Sequence, residues 1–148
     1  MRASDLMDQY PSIDENAPAS EAARMIGVER RPAVLVLADG KVKAVLPGSQ
    51  VLNFLIPGYL QEDPSLVKVY GEKAADTCAA RLEGKAVADM LPPKDKRPHM
   101  PTVTREATVM ECAAVMAALH SPLLVVVEDD GSVAGAITAS KLLSVLVA

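Results

Sequence analysis

The strongest constraint on this chain is that most of it is written twice. The stretch PSIDENAPASEAARMIGVERRPAVLVLADGKVKAVLPGSQVL (Pro11 to Leu52) lies over PTVTREATVMECAAVMAALHSPLLVVVEDDGSVAGAITASKLL (Pro101 to Leu143) on a shift of ninety residues that grows by one at the second copy's EDDG turn. Pro11 falls on Pro101, Ala17 on Ala107, Glu21 on Glu111, Pro32 on Pro122, Val36 on Val126, Gly40 on Gly131 and Ser49 on Ser140. A related phrase precedes each copy, ASDLM before the first and VADML before the second. Self-similarity of this kind means one supersecondary unit used twice.

Within a copy the residues spell out a unit. A short extended piece (Ser12 to Asp14; Thr102 to Thr104) leads into an amphipathic helix. In the second copy TVME, Thr108 to Glu111, has the S/T-x-x-E form of a capping box, whereas the first copy begins its helix with Pro18, which suits a first turn. The β-branched runs PAVLVL and PLLVVV follow, then the turns ADGK and EDDGS, then VKAVL and VAGAI, so each pair of strands reads as a hairpin. A closing helix is expected over Ser49 to Ile56 and again over Ser140 to Val147. The order is β-α-β-β-α, twice, an α/β (α+β) chain.

A continuous apolar strand such as Leu123 to Val127 is buried on both faces, and helices can cover only one of them. One copy of about sixty residues is marginal alone, so the two are expected to pack against each other with pseudo-twofold symmetry. The organisation read from the chain is repeat 1 over residues 1–56, a linker over 57–85 and repeat 2 over 86–148. The linker is too long for a bare loop and has helical periodicity around Ala74 to Leu82, which predicts a linker helix. The Pro-rich run 92–101, without counterpart in the first copy, is expected to be an exposed, mobile insertion.

Composition removes several function classes. The chain has 148 residues, 50% of them hydrophobic and 23% charged, a balance that argues for a globular fold over disorder. A net charge of -4, with one Phe, three Tyr and no Trp, provides neither the basic surface nor the stacking platform of a nucleic-acid binder. The longest apolar runs, such as PLLVVV, fall far short of the roughly 18 residues of a membrane span, and the first residues carry acids rather than a signal-peptide core. The expected location is cytoplasmic. Cys78 and Cys112 stand in alanine-rich, helix-like surroundings without nearby His or Cys at ligand spacing, and are read as reduced small hydrophobes with no metal or disulfide role. Neither a nucleophile–base pair, a Walker loop nor a dinucleotide fingerprint is present, so catalysis is not expected.

Two β-α-β-β-α repeats, each with an EA helix and each closing on a strand, turn and helix such as GAITASKLL, resemble a tandem CBS-domain pair, or Bateman module. The resemblance covers nearly the whole chain except the linker and the Pro-rich insertion. It implies two repeats packed through their sheets around pseudo-twofold clefts, and often a flat dimer of two such modules. It also implies a regulatory role: such pairs commonly sense AMP, ADP, ATP or S-adenosylmethionine and act on an enzyme, channel or transporter. The alternative is a ligand-free pair that serves as a dimerising interaction module.

The family's closing motif usually reads G-h-x-T/S-x-x-D/N, with the hydroxyl going to phosphate and the acid to ribose. By residue, Gly135 takes the glycine place, Thr138 the hydroxyl and Lys141 the place of the acid; in the first copy Ala44, Pro47 and Gln50 stand there. An amide such as Gln50 can still bond a diol, but a lysine cannot accept from one. Lys141 falls in a helix's first turn, where a cation opposes the macrodipole by a few tenths of a kcal/mol to about 1. It either holds an anion together with Thr138 and helix N–H groups, or is a solvated lysine beside a Thr138 N-cap. The loops ERRPA and LHSPL approach the cleft in the family's geometry. The ligand set carried over is therefore Gly135, Ile137, Thr138, Ser140 and Lys141 at the closing motif, His120, Ser121 and Pro122 before the second central strand, Thr102, Arg31 with Pro32, and Ser49 with Gln50; Arg30 joins Arg31 as a phosphate candidate. His99 in the insertion is expected to be exposed and idle. The leucines of the last helix serve either core or dimer interface. No cofactor is required on this reading, and a homodimer acting on an unidentified protein effector is expected.

Overall fold

The computed structural model describes residues 1–56, 58–63, 65 and 73–148. A short helix α1 (Ala3–Leu6) opens the chain. The first repeat follows as β1 (Ser12–Asp14), α2 (Ala19–Gly27), β2 (Ala33–Ala38), β3 (Lys41–Pro47) and α3 (Gly48–Leu55). The linker contributes α4 (Gly58–Glu62) and α5 (Lys73–Arg81), the latter over the stretch whose periodicity predicts a helix. Then come α6 (Val87–Met90), a 3-10 turn (Lys94–Lys96), β4 (Thr102–Thr104), α7 (Val109–Leu119), β5 (Leu123–Val127), β6 (Val133–Thr138) and α8 (Ala139–Leu146).

Each repeat builds a three-stranded sheet, in the orders β1-β2-β3 and β4-β5-β6, with the first pair of each parallel and the second antiparallel. Register is copied as well: Ile13 faces Val36 and Val103 faces Val126, and both hairpins shift register at the next step, between Val36 and Leu37 and between Val126 and Val127. The extra residue of the second copy is absorbed in its turn. In the first hairpin Ala38 pairs with Lys41 across Asp39 (φ 53°) and Gly40 (φ 77°), the two left-handed residues of a tight two-residue turn. In the second, Glu128 N donates to Ser132 O (2.8 Å) and Gly131 N to Glu128 O (3.0 Å), and Gly131 takes φ 87°, a three-residue turn with the glycine in the left-handed place.

Strand period 2 divides the apolar residues between two tasks. Val34 and Val36 of β2 face the first repeat's helices, as Leu124 and Val126 of β5 face the second's, forming two helix-covered cores. The alternate residues Ala33, Leu35, Leu123 and Val125 are buried together with Ala136 in a third cluster shared by both sheets. This is why PAVLVL and PLLVVV are apolar without alternation.

The leading helices cross over between the repeats. Ala3 and Leu6 of α1 lie in the second repeat's core, and Val87 and Met90 of α6 in the first's. The backbone bonds are equivalent: Ala3 N to Ala107 O (2.8 Å) and Ser4 N to Arg105 O (3.1 Å), against Val87 N to Ala17 O (2.9 Å) and Ala88 N to Glu15 O (2.9 Å). By packing, then, residues 1–6 complete the repeat at the far end of the chain. The segment after α1 continues along β6, where Asp8 and Ala136 exchange two backbone hydrogen bonds of 2.9 and 3.0 Å and cover an edge strand.

The helix starts follow the local residues. Thr108 Oγ1 accepts from Glu111 N (3.2 Å) and Glu111 Oε2 from Thr108 N (3.0 Å), the predicted capping box, while Pro18 serves α2 as an N-cap without a side-chain bond. In the Pro-rich segment, residues 93–96 and 98–99 are exposed, and Arg97 Nε donates to Pro92 O (2.8 Å) to tie the base.

A Cβ on Gly135 would stand 2.8 Å from Asp8 O and 3.1 Å from Met7 Sδ. Gly135→Ala is expected to displace this segment and destabilise the protein by about 1–3 kcal/mol in urea unfolding. Gly27→Ala, where the new methyl meets nothing within 4 Å, serves as control and is expected to be neutral or stabilising.

Candidate functional site

α2 and α7 both run out into a residue with left-handed backbone, Arg30 (φ 55°) and His120 (φ 50°), at equivalent positions of the two copies. The turn directs Arg31-Pro32 and Ser121-Pro122 into β2 and β5. These strands share the inter-sheet layer, so both loops arrive at one place. There they meet the start of α3, where Gly48 N donates to Pro32 O (3.2 Å). The result is a cleft of about 460 Å³ lined from the first repeat by Ile26, Arg31, Pro32, Pro47, Gly48 and Ser49, and from the second by His120, Ser121 and Pro122.

Its polar groups differ in what they have left to give. The Ser121 hydroxyl is engaged with its own loop, donating to Leu123 O (2.6 Å) and accepting from Leu123 N (3.4 Å). Arg31 is held loosely, with Nε 3.5 Å from Glu29 Oε1 in a solvent-exposed pair and its guanidinium carbon 5.5 Å from the Tyr10 ring centroid. Tyr10 donates its hydroxyl to Ala33 O (2.9 Å), and burial pushes the phenol above its ordinary pKa against the opposing pull of the Arg31 cation. Pro47, the N-cap of α3, has no side-chain acceptor, so no side chain caps that helix's first turn. A cation, an imidazole and an uncapped helix start thus surround one cavity, an arrangement that favours negative charge.

The second repeat's closing turn is arranged otherwise. Thr138 caps α8: its Oγ1 accepts from Lys141 N (3.2 Å) and lies 3.1 Å from Ser140 Oγ. Lys141 is half-buried and, among the described residues, forms no ion pair. Gly135 is covered by Met7 and Asp8, and the Ile137 side chain is fully buried in the second repeat's core. Thr102 sits half-buried on β4, paired with Val125.

Of the residues singled out from sequence, the cleft brings together Arg31, Pro32, Ser49, His120, Ser121 and Pro122. Gln50 is turned away from it: Nε2 donates to Met90 O (2.9 Å), and the side chain lines a different pocket. Arg30 and His99 are exposed. Sequence reasoning missed Ile26 and Gly48 as cleft walls and Tyr10 as the ring beneath Arg31. The placement of Tyr10 had no local signal, because the ring reaches β2 by way of the crossed-over leading segment. Cys112 is buried and its thiol is raised by that burial and by Glu111; Cys78 is half-buried, with Sγ 3.9 Å from Leu55 O. Among the described residues no group of three or more His, Cys, Asp and Glu side chains is gathered as a metal would require.

Comparison with known proteins agrees with this geometry. The family model described as CBS domain matches residues 94–148. The crystal structure of a CBS domain-containing protein of unknown function from Kribbella flavida is 39% identical, with 100% of this chain and 99% of that one covered and a TM-score of 0.86. CBSX2 in complex with AMP matches at 16% identity over 98% of this chain and 95% of that one, with a TM-score of 0.69. CBSX2 from Arabidopsis thaliana matches in a further structure at 15% identity, 98% and 93% coverage, and a TM-score of 0.74. No curated protein matches in sequence. Fold and cleft define a tandem CBS pair. The chain belongs to the CBS-domain family.

Removing the α8 cap separates a structural from a ligand-dedicated hydroxyl. Thr138→Ala is expected to lower the stability of the ligand-free protein by about 0.5–2 kcal/mol, and Thr138→Ser to retain most of it, in urea titrations.

Proposed function

We propose that this chain is a regulatory CBS pair that binds an adenine nucleotide or a similar anionic small molecule between its repeats and transmits the occupancy to a protein effector, an enzyme or a transporter. The observation that carries the reading is the 460 Å³ cleft into which Arg31, His120 and the uncapped start of α3 converge from both repeats. Its volume is that of a small-molecule site, and its electrostatics suit phosphate or another acid. The AMP found with CBSX2, a protein of the same fold, supports the nucleotide as first candidate. S-adenosylmethionine is tested beside the nucleotides for its adenine, which the walls Ile26, Pro32, Pro47 and Pro122 accept; its sulfonium finds no carboxylate in that lining. No catalytic role is assigned, and no cofactor is needed for this function. The proposed setting is cytoplasmic; among the described residues no helix is long and apolar enough to cross a membrane.

Ligand recognition departs from the usual pattern at the ribose. Gln50 is turned out of the cleft, with its nitrogen on Met90 O, and Lys141 offers only donors. Affinity on this reading rests on the phosphate end, in the cleft, more than on the sugar.

The proposed assembly is a homodimer. Leu52 of α3 and Leu143 of α8 occupy equivalent positions and are 60% and 56% exposed, so both closing helices present the same unpartnered leucine. Beside Leu143 an apolar groove of about 320 Å³ runs between α7 and α8, with Met116, Leu142 and Leu146 in its walls. Two like patches related by the pseudo-twofold suit a second copy of the chain.

Thermal shift with AMP, ADP, ATP and S-adenosylmethionine tests the ligand. One that binds only the native state at about 100 times its dissociation constant stabilises it by about 2.7 kcal/mol. The expected result is a shift with at least one nucleotide that Arg31→Ala abolishes; no shift with any of them sinks the sensor reading and leaves the interaction module. Sedimentation velocity tests the assembly, with a dimer expected for the parent chain and a monomer for the Leu52→Glu, Leu143→Glu double variant.

A further inference from the structure

Outside the cleft, a second pocket of about 460 Å³ opens on the other side of α3's first turns. It is assembled from three separate stretches of chain: Gln50, Asn53 and Phe54 on α3, Arg81 at the end of the linker helix α5, and the run from Asp89 to Leu91 at α6 into Pro92, Pro93 and Lys96 of the Pro-rich insertion. Of these, the linker and the insertion have no counterpart in the first repeat, so the pseudo-twofold generates no twin of the pocket. The frame is tied by hydrogen bonds, Gln50 Nε2 to Met90 O (2.9 Å) and Arg97 Nε to Pro92 O (2.8 Å).

The charges in the lining are unequal in availability. Asp89 Oδ2 accepts from Ala86 N (2.9 Å), which commits this carboxylate to starting α6. Arg81 and Lys96, both in the lining, enter no ion pair among the described residues. On a chain with a net charge of -4, a pocket carrying two cations against one committed carboxylate is a local reversal of sign. An arginine fork, an ammonium and the Asn53 amide together match the acceptors of a tetrahedral oxyanion. The volume exceeds that of a bare phosphate and lies in the small-molecule range, with Phe54 and the two prolines as an apolar wall.

We infer that this pocket is a second anion site that takes a phosphorylated small molecule, held by Arg81 and Lys96 and independent of the inter-repeat cleft. It joins the linker helix, the closing helix of repeat 1 and the insertion, so its occupant fastens together the parts of the chain that break the internal symmetry.

Isothermal titration calorimetry of the full chain with pyrophosphate and separately with AMP tests the assignment. Pyrophosphate is expected to bind, and, in an Arg31→Ala background that removes the contribution of the cleft, the added Arg81→Ala and Lys96→Ala replacements are expected to weaken it about tenfold or more relative to Arg31→Ala alone. Both added replacements fall on exposed side chains, so the fold is expected to tolerate them, and an unchanged urea midpoint checks this. Lys94→Ala, a charge change in the same 3-10 turn outside the lining, controls for general electrostatics. Absence of pyrophosphate binding, equal weakening by Lys94→Ala, or loss with Arg31→Ala alone overturns the site. AMP sensitive to Arg81 and Lys96 identifies a nucleotide as the phosphate source; AMP sensitive only to Arg31, with pyrophosphate sensitive to Arg81 and Lys96, identifies a non-nucleotide phosphate. The cleft and this pocket therefore fail separately.

Discussion

The layer of side chains shared by the two sheets is the contact on which the rest depends. Neither repeat has a face to spare for water: Val34 and Val36 need helices on one side of β2, and Ala33 and Leu35 need the other sheet on the opposite side. Burying such residues is worth about 25 cal/mol for each Å² of apolar surface removed from water, and a repeat standing alone would forfeit the whole of one face. The layer also sets the place of the cleft. Arg31-Pro32 and Ser121-Pro122 meet because β2 and β5 lie against each other, and their entry loops end at the same level.

Much of this was legible in the residues because the signals are local. The two-residue Asp39-Gly40 turn, the longer turn ending in Gly131, the Thr108–Glu111 box and the unalternating strands each state their structure within a few positions. The crossing of α1 and α6 was not legible. ASDLM and VADML resemble each other, and that likeness is equally consistent with each completing its own repeat or the other's; only tertiary packing of Leu6 and Met90 decides. The same crossing explains Gly135. From sequence it reads as the opening residue of a ligand motif, and in the fold it is also the place where Asp8 passes too close for a side chain.

The site was legible in part for a related reason. Residues in the loops before the central strands, such as His120 and Arg31, follow the strands they precede and fall where expected. Gln50 does not, since its nitrogen has a nearer partner in Met90 O, brought beside it by the crossed-over α6. Thr138 has a partner in its own helix as well. A hydroxyl or an amide in a motif position is available to a ligand only to the degree that the backbone around it is already satisfied, and the repeat pattern alone does not contain that information.

The two closing helices show how one unit used twice comes to do unequal work. α8 has its own cap in Thr138, whose hydroxyl answers Lys141 N. α3 starts at Pro47, which can answer none, and has Arg31 and His120 in the same cleft. An anion at α3 would meet a first turn that no side chain caps, beside the Gly48 N already held by Pro32 O, whereas at α8 it has to compete with a hydroxyl already in place. Cleft residues come from both repeats, so a ligand seated there acts on their relative position and favours whichever arrangement it fits better. Crossed-over leading helices extend that effect, because a shift of one repeat moves α1 or α6 within the core of the other. On the proposed function, sensing needs no moving lid; it needs only that the ligand's differential affinity act on a layer both halves share.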